Sequence, residues 1–209
     1  NASKIGSSGE LIKNVINRHV NRNYYLTFDD GFKEHYDFVA NFLDEKNIKA
    51  FFFPSTLPIQ DSKVLPVHKV HMLIGKYNSG MLLEQPLKDI DPNILDNKKI
   101  DEFDKEIYKD QNNTPSQKKI KRLFNYYIKY EHREEILNRM FCKYFCEKEV
   151  FDQLYMTKNN IRELYENGHV IGSHTHSHKV LSRLNKIEQE DEIEKSEQIL
   201  KSLLGDQWS

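Results

Sequence analysis

Apolar positions change their spacing along the chain in a way that separates strands from helices. Tyr24-Tyr25-Leu26-Thr27-Phe28 is a nearly continuous apolar run, and the stretch from Asn23 to Phe28 predicts a first strand that stops at Asp29-Asp30-Gly31. Beyond the glycine, Tyr36, Val39, Phe42 and Leu43 recur at helical spacing, and Asn47 supplies a stop. Ile48 to Phe53 follows, its Ala50-Phe51-Phe52-Phe53 run reading as a strand buried on both faces and ended by Pro54. Strand, helix and strand in that order make one β-α-β unit.

The same rhythm returns near Thr157. That residue is placed to cap a helix through Ile161, Leu164 and Tyr165, which stops at Asn167-Gly168. His169 to Ile171 then predicts a short strand that delivers Gly172-Ser173-His174. Ile193, Ile199, Leu200, Leu203 and Leu204 mark a last amphipathic helix that halts at Gly205. A polar, mostly helical insertion separates the halves. Thr114-Pro115-Ser116-Gln117 has the form of a capping box with a first-turn proline and opens a run with Ile120, Leu123, Phe124 and Tyr127 on one face. Ile136, Leu137, Met140, Phe141, Tyr144 and Phe145 form a second run, and the two are expected to pair as a helical hairpin. Asp89 to Gln111, rich in Asp, Asn and Lys, reads as a mobile loop. The expected organisation is a single domain over 1–209, with a core of 22–59 and 156–205 and an insertion of about 60–155.

Charge removes one class of partner. Thirty-one Lys and Arg against thirty-two Asp and Glu leave a net charge of -1, with no basic run interleaved with aromatics, so nucleic acid is not expected as a partner. No stretch reaches the roughly 18 apolar residues of a membrane span. The N-terminus lacks a charged-then-apolar leader, which favours a cytoplasmic location; a trimmed leader before Asn1-Ala2 is the alternative. Cys142 and Cys146, four apart in a helical stretch, exclude a disulfide framework and read as two reduced thiols on one helix.

Chemistry enters where the strands end. Neighbouring residues of a regular strand point to opposite faces, so Asp29 and Asp30 converge on one site only if the strand stops and the backbone turns, as Gly31 permits. One carboxylate can then bind a metal while the other takes a proton from a water that the ion acidifies. His174 and His178, four apart, can chelate one ion from a single helical turn, with His176 pointing elsewhere. Either motif alone also fits a solvated turn. Each follows a predicted strand, at the end where α/β enzymes carry their sites, and together they offer three protein ligands with room for water. In the insertion, Val67, Val70, His71 and Ile74 trace a helical face with His68 beside it. Either imidazole could reach a substrate, or both could be ordinary packed and exposed side chains.

Thr27-Phe28-Asp29-Asp30-Gly31 and Ser173-His174-Thr175-His176-Ser177-His178 resemble the first two motifs of the polysaccharide deacetylases, the NodB-like carbohydrate esterase family 4. The resemblance covers about residues 22–58 and 157–205. It implies an irregular (β/α)7-type barrel, here partial, that removes an acetyl group from an N- or O-acetylated sugar. Metal-bound water would be the nucleophile, Asp29 the general base, and Asp30, His174 and His178 the ligands of one divalent ion, usually zinc. His176 is then expected to pack beside the ligands. The family's later Arg-Pro-type and Leu-x-His segments have no counterpart before Gly205, so the chain reads as the first portion of a longer domain. A surface glycan or its lipid-linked or nucleotide-linked precursor is the expected substrate. A non-catalytic glycan- or metal-binding relative and a hydrolase of small non-sugar amides are the alternatives.

Overall fold

The computed structural model describes residues 6, 8–18, 23–76, 90–96, 107–108 and 110–208, so the stretch expected to be a mobile loop lies largely outside the described residues. The helices are α1 (Ser8–Ile16), α2 (Asn41–Glu45), α3 (Thr56–Asp61), α4 (Pro66–Lys76), α5 (Pro115–Arg122), α6 (Tyr130–Phe141), α7 (Glu147–Leu154), α8 (Lys158–Glu166) and α9 (Lys186–Leu204). Two compact units divide the chain, one of Asn1–Lys63, Val150–Ser177 and Lys186–Ser209, the other of Val64–Glu149 and His178–Asn185. No described helix is long and apolar enough to cross a membrane.

The first unit holds the sheet. β1 (Thr27–Asp29), β2 (Phe51–Phe53) and β3 (Val170–Ile171) run parallel in the order β1-β2-β3, with Phe28 beside Phe52 and Phe52 beside Ile171. Parallel neighbours need a crossover. A π-helix, His35–Ala40, continues into α2 and supplies the first; it stops at Asn47, whose φ of 54° is the left-handed conformation that ends helices. α8 leads into β3, opened by the expected Thr157 cap in a reciprocal box with Asn160. Phe52, Ile161, Leu164 and Leu200 are fully buried between sheet and helices, each contributing about 1.5–3 kcal/mol by burial.

The strands are shorter than their apolar runs suggest, because the pairing begins only at Thr27 and Phe51. The class is α/β, with an open three-stranded parallel sheet among the described residues. α9 also departs from expectation: Ile193 is 45% exposed, while Glu192, Ser196 and Leu200 face inward. Polar residues occupy the inner face there because they bond to a loop described below.

In the second unit, α5 and α6 both pack on α4. The Thr114 capping box with Pro115 forms as expected, but α6 ends at Phe141, leaving Tyr144 exposed. Cys142 and Cys146 flank a turn between α6 and α7 rather than sharing a helix, and both are free and exposed. His68 is buried in α4, whereas His71 is exposed, so the inner face of that helix runs through Lys69, Val70, Leu73 and Ile74 instead. Buried Lys69 is held by Glu147 and Asn138, each at 2.6 Å, which satisfies the charge that its burial would otherwise leave costly.

One buried imidazole gives the first unit a pH dependence. His169 Nδ1 accepts the Ala50 N–H at 3.2 Å, which leaves the proton on Nε2, 3.2 Å from Asp44. Burial holds the His169 pKa below its ordinary 6.5, even with Asp44 pulling it up. Between the folded pKa and about 6.5 the unfolded chain therefore binds more protons. Stability is full above pH 6.5 and is lost as pH falls through that window, at no more than about 1.4 kcal/mol per pH unit for this histidine. Urea midpoints at pH 7.5 and 5.5 should show that loss, and His169→Gln should flatten it; an unchanged slope would exclude the assignment.

Candidate metal centre

Asp30, His174 and His178 each offer a ligand atom, and those atoms lie within 4.8 Å of one another, the only such group of three among the described residues. Local backbone geometry makes the meeting possible. β1 ends on Asp29 itself, and Asp30 and Gly31 follow at φ of 69° and 78°, so the second carboxylate leaves the strand direction at once. Gly31 is required twice over. Its left-handed φ suits glycine, and a Cβ there would fall 2.9 Å from the Pro54 Cβ. The Gly31 carbonyl accepts the Met156 N–H at 2.9 Å, tying the turn to the start of the α8 segment.

The histidines do not share a helical turn. Residues 172–180 are irregular, and Thr175 and His178 sit at φ of 62° and 57°, so the imidazoles converge from a folded loop. With Asp30, that makes three non-glycine residues of the two motifs in left-handed conformation, each costing on the order of 1–2 kcal/mol. Such conformations persist only where surrounding bonds fix them. His174 donates its N–H to the Pro54 carbonyl at 3.3 Å, and Ser55 Oγ donates to the His174 carbonyl at 2.9 Å. The N-terminal N–H groups of α3, Thr56 and Leu57, donate to the carbonyls of Thr175 and His176, so donors that a helix start leaves over are spent on this loop.

From the other side, Glu192 of α9 accepts from both the N–H and the hydroxyl of Ser177, and Ser196 bonds Ser173 at 2.6 Å. Gly172 gives the loop its exit past β2, since a Cβ there would lie 2.5 Å from the Phe53 ring. His176 is buried with Nδ1 3.0 Å from Thr56 Oγ1, outside the group of three. His68 and His71 also lie outside it, both on α4.

The donor set fits a divalent ion. Two donors about 2.1 Å from a tetrahedral ion stand about 3.4 Å apart, and Asp30 Oδ1 lies 3.5 Å from His174 Nε2. One carboxylate and two imidazoles is a three-ligand pattern that keeps a coordination position open. Asp29 is exposed at the strand end, next to Asp30 and not among the three. Sequence patterning missed His35, Ser55, Thr56, Glu192 and Ser196. His35 packs against Phe28, Phe32 and Phe52, and burial lowers its pKa although Asp30, Glu34 and Asp29 draw it upward, so it stays a neutral ring beside the two carboxylates at neutral pH. Its place three residues after Asp-Asp-Gly-Phe, in an otherwise aromatic neighbourhood, carried no chemical signal of its own.

A family model described as polysaccharide deacetylase matches residues 17–76 and 131–209. No curated protein and no solved structure matches the chain. The matched part takes in β1, β2, β3 and both motifs, and it extends through α4, further than the motifs alone indicate; residues 77–130 stand outside it. Covering well over half of the 209 residues, the match shows that the chain belongs to the polysaccharide deacetylase family.

Proposed function

We propose that this chain is the metal-dependent part of a deacetylase that hydrolyses the acetyl group of an N- or O-acetylated sugar, in a glycan or a glycan precursor. The observation that carries it is the Asp30, His174 and His178 group, drawn together within 4.8 Å at the sheet end inside a chain of this family. Those three residues would hold the ion, zinc being the first choice for a carboxylate and two imidazoles. When bound, such an ion lowers the pKa of water and polarises an acyl oxygen. Asp29 stands beside the ligand Asp30 and can take the proton that the attacking water gives up. The clamps from α3 and α9 fix the loop in advance, so the ligands need little rearrangement on binding. The partial (β/α)7-type barrel belongs to this reading, with β1 to β3 as its first strands.

Acetate release from a panel of N-acetyl and O-acetyl sugars, measured before and after dialysis against a chelator, tests the proposal. Release should disappear on chelation and return with about one equivalent of a divalent ion. A protein that binds one ion per chain yet releases no acetate from any sugar would instead be a binding relative. Release from small amides but not from sugars would move the substrate class.

A further inference from the structure

The short segment that leaves the ligand His178 carries two cations onto an aromatic wall. His178–Asn185 groups with the second unit. Val180 donates its N–H to the Tyr130 hydroxyl at 3.1 Å, and the 3-10 turn Leu181–Arg183 follows. Around the Tyr130 ring stand Arg133 at 4.6 Å, Arg183 at 4.7 Å and Lys179 at 5.8 Å from the centroid. Arg183 also faces Tyr126 at 5.9 Å, and Tyr126 meets Tyr108 edge-on at 6.0 Å. Burial, with the neighbouring Tyr108 hydroxyl, pushes the Tyr126 phenol up to about 12, so it stays neutral and does not cancel the positive charge.

Ring faces attract cations without neutralising them. A guanidinium held by ring faces and a carbonyl keeps its charge, and an anion beside it gains Coulomb attraction. Arg183 bonds the Asn125 carbonyl and two rings, with no carboxylate among its described partners, and its Nε is buried without a hydrogen-bond partner. Tyr130, Tyr126, Lys179 and Arg183 are all half-buried, so the patch is open to a ligand. Arg183 stands five positions after His178, at most roughly 18 Å of extended chain. The three tyrosines come from residues 77–130, the stretch the family match leaves out, whereas Lys179 and Arg183 lie in the matched part. A segment inside the family match is here seated on a wall that lies outside it.

The geometry points to an anion subsite, built by Arg183, Lys179 and Tyr130 with Tyr126 behind them, that selects acetylated sugars carrying a phosphate or a carboxylate. This rests on the deacetylase reading for the acetylated half of the ligand. It makes Tyr126 and Tyr130 specificity residues: their rings fix the two cations close to His178 in sequence.

Titration calorimetry on the full chain decides it without needing turnover. N-acetylglucosamine, N-acetylglucosamine 1-phosphate and an N-acetylated aminouronic acid are the probes. At least one anionic sugar should bind tenfold or more tighter than the neutral one, with the advantage shrinking as salt rises. Which anion gains identifies the source of the charge. Arg183→Met keeps an apolar stem against the rings and should reduce the anionic preference about tenfold; Lys179→Gln, away from the buried guanidinium, should reduce it less and serves if the first variant does not fold. Equal affinity for neutral and anionic sugars would overturn the inference, as would a preference that both variants retain. Acetate release is read separately. A protein that shows the anionic preference but releases no acetate would fail the proposed function and keep the subsite.

Discussion

Asp29→Asn is expected to lower acetate release by about two orders of magnitude or more while the metal content stays at its wild-type level. The argument starts from the division of labour at the end of β1. Asp30 belongs to the group of three ligand atoms and Asp29 does not, although the two are adjacent. An amide at position 29 keeps the size and shape of the side chain but accepts no proton, so the loss falls on the proton transfer. Because β1 ends on Asp29 through backbone pairing with Phe53, the substitution leaves the turn and the Asp30 orientation in place. The result should appear mainly in kcat. Activity loss together with metal loss would make Asp29 a ligand, and wild-type activity would move the base elsewhere.

The two motifs were legible in the sequence because each places acid or imidazole residues directly after an apolar run, where a strand must end. What holds them in place was not. Ser55 and Thr56 look like an ordinary helix start, and only the fold shows the first N–H groups of α3 donating to the carbonyls of Thr175 and His176. Glu192 and Ser196 are polar, so hydrophobic periodicity turned them outward and took Ile193 inward. The fold reverses this, burying Glu192 at 4% exposure to bond Ser177 and leaving Ile193 in water. A polar residue buried for a bond to a distant loop is invisible to periodicity, which counts only apolar positions. The helical-turn reading of His174 and His178 failed for a related reason: four-residue spacing fits a helix, but Thr175 and His178 take left-handed φ that a helix cannot contain. Helix boundaries fared best where a cap has its own side-chain chemistry, as at Thr114 and Thr157.

His178→Ala is expected to abolish stoichiometric metal binding, whereas His176→Ala should only weaken it. With three ligands, removing one leaves two donors and a coordination shell filled by water. Since loss of a residue that merely supports a ligand costs about 10–100-fold in affinity, loss of a ligand should exceed the upper end of that range. His176 is the informative control: it lies between His174 and His178, is buried, and bonds Thr56 rather than joining the group of three. Its removal loosens the loop where α3 grips it, so affinity should fall within the 10–100-fold span while about one ion per chain still binds at saturation. Thermal melting gives an independent reading. An ion present at a thousand times its dissociation constant stabilises the folded state by about 4 kcal/mol, so added metal should raise the Tm of the wild type and of His176→Ala but not that of His178→Ala. Metal content measured by mass spectrometry and the melting shift must agree. If His178→Ala keeps a full equivalent of metal, or if His176→Ala is the variant that loses it, the ligand set is wrong and the loop presents a different pair of imidazoles.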